Sequence, residues 1–238
     1  VKWTKNCDKI SWDITVPATG IYSVRMQYIA ADNGMSALIR SLKIDGQFPY
    51  SEAQSLSFYR LFKDAGAPIV NSIGDEVAPD VEQYFEWQWQ DFLDTDAAYD
   101  GALQFYLTAG THSFEMEYIS GDLYLYSIEL YSPSELSDYS TVEQKYNENG
   151  YKLGSGSVHF EAEDSERVLF KNSSTLRAVS SSDPGCTPYK YGKSKINTFG
   201  GTLWQSANSA ITYNFSVDTD GLYAISMRLL MNFRDGIP

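Results

Sequence analysis

The chain has 238 residues, 43% hydrophobic and 15% aromatic, with 31 acidic side chains against 18 basic ones and a formal net charge of −13. A surface this negative repels phosphate backbones and excludes nucleic acid as a partner, while 18 Tyr, 12 Phe and 5 Trp carry too much apolar surface for a disordered chain. No apolar run approaches the ~18 residues of a membrane span, so direct membrane insertion is not expected. Cys7 and Cys186 are the two cysteines, too few for a disulfide framework or a Cys-based zinc site, and they are either free thiols or one bridge.

In chain order, residues 10–16, ISWDITV, alternate apolar and polar and stop at Pro17-Ala-Thr-Gly20. Residues 21–29, IYSVRMQYI, alternate again before the turn residues at 31–34, and Leu42–Ile44 runs into Asp45-Gly46, a hairpin-type turn. In QYFEWQWQ (83–90), strand alternation sets Phe85, Trp87 and Trp89 on one face and Tyr84, Glu86, Gln88 and Gln90 on the other. Leu103–Leu107, Ser113–Tyr118 and Leu123–Leu130 read as three further strands divided by Gly-containing turns. Short strands without strand–helix alternation predict an all-β fold, an antiparallel β-sandwich of jelly-roll type.

Residues 133–150 break this pattern. Tyr139, Val142 and Tyr146 stand at helical spacing, Ser140 and Glu143 form a capping-box pair, and Asn149-Gly150 is a stop, which predicts a helix of about two turns. Gly154-Ser-Gly-Ser157 follows as a flexible stretch. The expected organisation is a β-sandwich module over 1–132, a linker with a short helix over 133–157, and the front half of a second module over 158–238.

The second module is marked by an internal repeat. Setting Trp3 against Trp204 aligns residues 10–29 with 211–230 without gaps, at a constant offset of 201 residues. Ile10, Val16, Gly20, Tyr22 and Met26 match Ile211, Val217, Gly221, Tyr223 and Met227. Copy one has no counterpart of 158–203, and copy two stops at Arg234-Asp-Gly-Ile-Pro238, where copy one continues for roughly a hundred residues. The chain therefore reads as a window from a longer protein. Alternatively, 158–230 folds back to supply the strands copy one lacks, since an unpaired half-sandwich would expose apolar edges.

Residues 158–163, VHFEAE, resemble the opening strand of β-sandwich carbohydrate-binding modules of families 6 and 35, as do IYSVRMQY in copy one and LYLYSIEL at 123–130. A wider resemblance covers nearly the whole chain. SLKIDGQFPYSEAQSLSFYRLFKD (41–64), the helix at 139–150 and the stretch 173–204 resemble the N-terminal repeated region of large lipoprotein-type extracellular solute-binding proteins. This resemblance implies export, attachment at the cell surface and a part in glycan capture or sugar uptake, with the transporter binding domain of the same longer protein as a partner. No cofactor is implied beyond a structural calcium, for which Glu161 and Glu163 match the first-strand glutamates of family 35. Tyr126 stands where that family has a third ligand, an Asp, so the hard-oxygen set that calcium takes is one short.

Sugar recognition needs flat aromatic faces beside groups that bond hydroxyls. Trp87 and Trp89 with Tyr84 and Asp91 offer that chemistry, and Tyr99, in the polar loop DTDAAYDG, is a further stacking candidate. Two tryptophans on one strand face are more often core, because burying them stabilises a sheet by several kcal/mol. Asp94, Asp96 and Asp100 lack the spacing of a helix–loop–helix calcium site and read as an acidic surface loop. His112 and His159 have no paired ligand spacing, and no nucleophile elbow, phosphate loop or dinucleotide motif occurs. The expectation is a non-catalytic carbohydrate-binding module acting on an oligo- or polysaccharide. The alternative is a structural spacer or assembly domain with buried Trp87 and Trp89.

Overall fold

The computed structural model describes residues 1–134, 136–171, 176–185 and 187–229. In chain order its strands are β1 (Lys2–Trp3), β2 (Lys9–Val16), β3 (Gly20–Ala30), β4 (Leu38–Ile44), β5 (Leu56–Phe58), β6 (Leu61–Asp64), β7 (Ile69–Val70), β8 (Glu76–Val77), β9 (Val81–Tyr84), β10 (Gln88–Asp91), β11 (Gln104–Leu107), β12 (Gly110–Ser120) and β13 (Leu123–Tyr131). The helix α1 (Tyr139–Glu148) precedes β14 (Val168–Lys171), β15 (Ala178–Ser181), β16 (Lys195–Phe199) and β17 (Ala210–Tyr213). The protein is an antiparallel β structure. No helix among the described residues is long and apolar enough to cross a membrane.

Two sheets form a sandwich. One runs β1–β13–β3, with β10 and β11 pairing end to end along the other edge of β3. The facing sheet runs β2–β12–β4–β5. Tyr22, Val24, Met26 and Tyr28 alternate along β3 and point inward, where they share one core with Leu42, Phe58, Phe92, Phe114 and Met116. Slipping β3 by one residue would turn all four outward and cost on the order of 10 kcal/mol, so the core specifies the register strongly. Between β4 and the chain beyond it, Asp45 and Gly46 take φ of 52° and 77°, and Ile44 and Gln47 exchange backbone hydrogen bonds. This is the tight turn that their sequence predicts.

A cation is sealed inside the sandwich. The Arg40 guanidinium donates to the carbonyls of Ile39, Ser120 and Gly121 at 2.7–2.8 Å and lies 4.4 and 4.6 Å from the ring centres of Trp3 and Tyr118. Burial pulls its pKa down to about 10, so it is still charged at neutral pH. The turn it holds needs glycine: Gly121 has φ of 74°, and a Cβ there would meet Leu38 Cδ2 at 2.6 Å.

A third sheet runs β17–β14–β6–β9, around a small core of Phe62, Val168, Phe170 and Leu176. The second half of the chain thus joins the first by pairing with β6, and β14 and β17 enter neither sheet of the sandwich. This pairing explains why 83–90 is not one strand. β9 belongs to the third sheet and β10 to the sandwich, so the chain changes sheets at 85–87. The segment 158–163 forms no strand either. The helix starts earlier than its capping-box pair implies: Asp138 is the N-cap, its carboxylate accepting from Thr141 N at 2.7 Å and Ser140 Oγ at 2.9 Å. A carboxylate at that position outcompetes the Ser140 hydroxyl, because it also favours the positive end of the helix dipole. The helix runs 10 residues, none of them buried, and ends at Asn149 with Gly150 at φ of 68°.

The two aligned segments share a local bond and differ in everything around it. Tyr22 donates to Ala18 O at 2.7 Å, and Tyr223 donates to Thr219 O at 2.7 Å. Val24, Met26 and Tyr28 are buried, whereas Ile225, Met227 and Leu229 are 81%, 73% and 75% exposed. Trp3 is buried and donates to Cys7 O, whereas Trp204 is exposed. Instead of a hairpin, 218–221 leads to a single bridge between Leu222 and Leu153. Cys7 is a half-buried free thiol, and Cys186 lies outside the described residues.

Of the two histidines, His159 lies in no strand and His112 lies in β12. His112 Nδ1 is 2.7 Å from Asp45 Oδ2, and its Nε2 is 2.9 Å from Thr108 O. Both neighbours are acceptors, so the ring is best satisfied when both nitrogens carry protons. The Asp45 bond first, and the Thr108 carbonyl second, raise the His112 pKa above its ordinary 6.5, while His112 lowers that of Asp45. A raised histidine stabilises the fold below its unfolded pKa and loses that contribution as pH rises through the folded value; the lowered Asp45 loses its contribution as pH falls. His112→Asn is therefore expected to destabilise the protein more near pH 5.5 than near about pH 8.5, as urea unfolding at each pH would read. An NMR midpoint for His112 at or below the ordinary value would contradict this.

Candidate functional site

The chemistry gathers on the outer face of the sheet containing β3, and one buried amide determines what that face displays. Gln90 points inward, between the edges of β10 and β5. Its Oε1 accepts from Tyr59 N at 3.1 Å and lies 3.0 Å from Tyr28 Oη, whose proton is shared with the nearer Tyr59 O, and its Nε2 donates to Ser57 O at 2.8 Å. Gln88 adds a bond from its Nε2 to Tyr59 O at 2.8 Å. With Gln88 and Gln90 inward, alternation sends Trp89 and Asp91 outward, opposite Gln27 and Arg25 of β3.

Trp87 and Trp89 are 46% and 42% exposed on that face. On the far side of β3, β13 carries a bulge between Leu125 and Ser127, which leaves Tyr126 out of the pairing and 74% exposed. The Trp87 and Tyr126 rings meet edge to face at 5.7 Å, arching over β3. Beside them the Arg25 guanidinium lies 4.9 Å from the Trp89 ring and 5.3 Å from the Tyr131 ring, and bonds Glu129 Oε2 at 2.7 Å. Tyr131 donates to Asp91 Oδ1 at 2.7 Å, and burial with the nearby Asp91 charge pushes its pKa up to about 12, so it stays a donor. The bond to Glu129 raises the Arg25 pKa further. Tyr106 on β11 and Tyr124 on β13 extend the exposed aromatic surface.

The face thus combines flat apolar rings with Arg25, Gln27, Asp91 and Glu129 held at fixed positions. Such a surface stacks on a ligand with an apolar face and hydrogen-bonds its polar edge. Of the residues expected from sequence, Trp87, Trp89 and Asp91 come together here. Tyr84 does not: it ends β9 in the third sheet, with Lys63 Nζ 5.2 Å from its ring centre. Tyr99 is exposed on the 94–101 loop, whose shape comes from Asp94. That buried carboxylate accepts from the backbone of Asp96, Ala98 and Tyr99, bonds that lower its pKa, and it is a turn-former rather than a free ligand. Glu161 is exposed, 3.7 Å from His159, and burial raises the Glu163 pKa, with Glu161 and Asp164 adding to it. No group of three or more His, Cys, Asp or Glu side chains that could hold a metal occurs among the described residues.

Arg25, Tyr126, Glu129 and Tyr131 are the site residues that sequence reasoning passes over. The alternation in LYLYSIELY carries part of the signal, because Leu123 and Leu125 inward imply Tyr124 outward, but the bulge at Tyr126 shifts everything after it.

No protein-family model and no curated protein matches the sequence. Among solved structures, a family 35 carbohydrate-binding module from Clostridium thermocellum aligns with 52% of this chain and 70% of its own, at 12% identity and a TM-score of 0.32. A likeness of that size carries no argument about the ligand, so the chemistry is read from the face itself.

Replacing Gln90 by Leu keeps the volume but strands Tyr59 N–H and Ser57 C=O in the interior. Unfolding free energy is expected to drop by roughly 2–4 kcal/mol in urea titration. Gln88→Leu should have a smaller effect, because Tyr59 O keeps the Tyr28 hydroxyl. Equal losses would contradict the assignment of Gln90 as the residue that ties β10 to β5.

Proposed function

We propose that the outer face of the β1–β13–β3–β10 sheet binds an oligo- or polysaccharide without catalysing its conversion. The observation that carries this reading is the pair of exposed tryptophans, Trp87 and Trp89, on a regular sheet face. Two indoles left in water sacrifice several kcal/mol of burial, and a spacer domain gains nothing from leaving them there. Arg25, Asp91 and Glu129 surround the rings with donors and acceptors for hydroxyl groups, held by the Arg25–Glu129 pair and by the Tyr131 hydroxyl on Asp91. The sequence resemblance extends the reading to an exported, surface-attached protein that feeds sugar capture or uptake.

Tryptophan fluorescence during titration with soluble plant and microbial oligosaccharides tests it. A saturable shift with one glycan class is expected, about tenfold weaker in Trp89→Ala or Trp87→Ala, or ~1.4 kcal/mol. A flat response across the panel would overturn the proposal.

A second reading, assembly, is favoured by a separate observation: Phe215, Val217, Ile225, Met227 and Leu229 are all exposed in one short segment. An apolar stretch of this kind promotes association between chains. On this reading light scattering shows concentration-dependent self-association, which Ile225→Ser with Met227→Ser abolishes. A monomer at all concentrations would remove it.

A further inference from the structure

The third sheet is not closed along its whole length. β14 meets β6 at two positions, Phe170 opposite Phe62 and Lys171 opposite Leu61. β6 continues through Lys63 and Asp64, paired to β9, while β14 starts two residues before Phe170, at Val168. The two strands therefore part over two residue positions, roughly 7 Å of extended chain. Where they part there is a cavity of about 240 Å³, lined by Lys63, Tyr84, Glu86, Glu166, Arg167 and Asn214 together with the start of β14.

Size and charge narrow what fits. Pockets for drug-sized molecules run from ~300 to ~1,000 Å³, so this one holds a single ring rather than a larger group. Its cations are already matched: Lys63 pairs with Glu82 at 3.2 Å, and Arg167 Nε with Asp164 Oδ2 at 2.9 Å. Glu86 and Glu166 add two more carboxylates, which leaves the cleft negative and unfavourable to an anion. Carboxylates that accept, cationic N–H groups that donate and the Tyr84 ring together suit a neutral ring bearing several hydroxyls. An apolar ligand would leave those polar walls unsatisfied.

The cleft is tied to the aromatic face by the chain itself. Tyr84 and Glu86 line the cleft, and Trp87 and Trp89 follow on the same segment, so at most roughly 17 Å of chain separates Tyr84 in the cleft from Trp89 on the face. We propose that the cleft between β6 and β14 is a second sugar subsite, which takes one neutral ring at an end or branch of a glycan lying on the Trp87–Trp89 face. It rests on the carbohydrate-binding reading of that face.

The test is ¹⁵N NMR titration of the whole chain with neutral β-linked gluco-, xylo- and manno-oligosaccharides of two and six units, and with oligogalacturonate as the acidic arm. Expected are shifts at the amides of Glu166 to Leu169 and of Glu86 with a neutral hexasaccharide, absent with the uronate. Tyr84→Ala should abolish these shifts and leave those of the Trp87 and Trp89 indole N–H signals. If that variant does not fold, Glu86→Ala with Glu166→Ala serves in its place. Shifts of the indoles alone would overturn the second subsite and leave the first intact. No shift at either would overturn both, and equal response to the uronate would overturn the neutral-ring assignment.

Discussion

Gln90 is the side chain through which the sandwich and its outer face depend on one another. Its amide replaces a strand partner, accepting from Tyr59 N–H and donating to Ser57 C=O, and so ties the β10 edge of one sheet to the β5 edge of the other. Because side chains alternate with period 2, holding Gln90 inside forces Trp89 and Asp91 outside. Trp89 then covers Arg25, Arg25 holds Glu129, and Asp91 takes the Tyr131 hydroxyl. The exposed aromatic face is thus the other side of a buried polar contact.

Two further buried polar side chains, Arg40 and Arg60, close junctions in the interior. Arg40 joins β4 to the turn at Ser120–Gly121 and stacks on Trp3 and Tyr118. Arg60, also buried, gathers the 32–36 loop by bonding Asp32 O, Asp32 Oδ1 and Ser36 O. A buried guanidinium whose terminal N–H groups meet carbonyls offsets much of the penalty of burying its charge, although Arg40 Nε has no partner among the described residues, and its fork constrains several backbone segments at once. These two arginines account for loops that hydrophobic patterning by itself leaves unspecified.

The two aligned segments show how far a local pattern reaches. Tyr22 and Tyr223 make the same bond to the carbonyl four residues before them, because that contact needs nothing beyond the turn itself. The strands that follow do not behave alike. Val24 and Met26 are buried because β13, β10 and the facing sheet surround β3; among the described residues Ile225 and Met227 have no such surroundings and lie in solvent. Strand propensity is met only where a partner strand is present, since a lone extended segment leaves its backbone hydrogen bonds to water.

The sequence by itself determined the antiparallel all-β class, the course of β2, β3, β11, β12 and β13, the Asp45-Gly46 turn and the helix within 133–150. Each of these rests on contacts within a few residues: alternation, a two-residue turn, a cap. It also marked Trp87, Trp89 and Asp91 as one cluster, because residues two apart on a strand share a face wherever the strand goes. It could not say whether that face was core or surface. That was decided by where β10 pairs and by Gln90, whose partners Tyr28, Ser57 and Tyr59 lie some 30 to 60 residues away in the chain. The same non-local pairing split 83–90 between two sheets, sent Tyr84 to the cleft rather than the aromatic face, and brought Arg25, Tyr126, Glu129 and Tyr131 beside the tryptophans. Local chemistry writes the period of a strand, but which side of it meets water depends on the rest of the chain that packs against it.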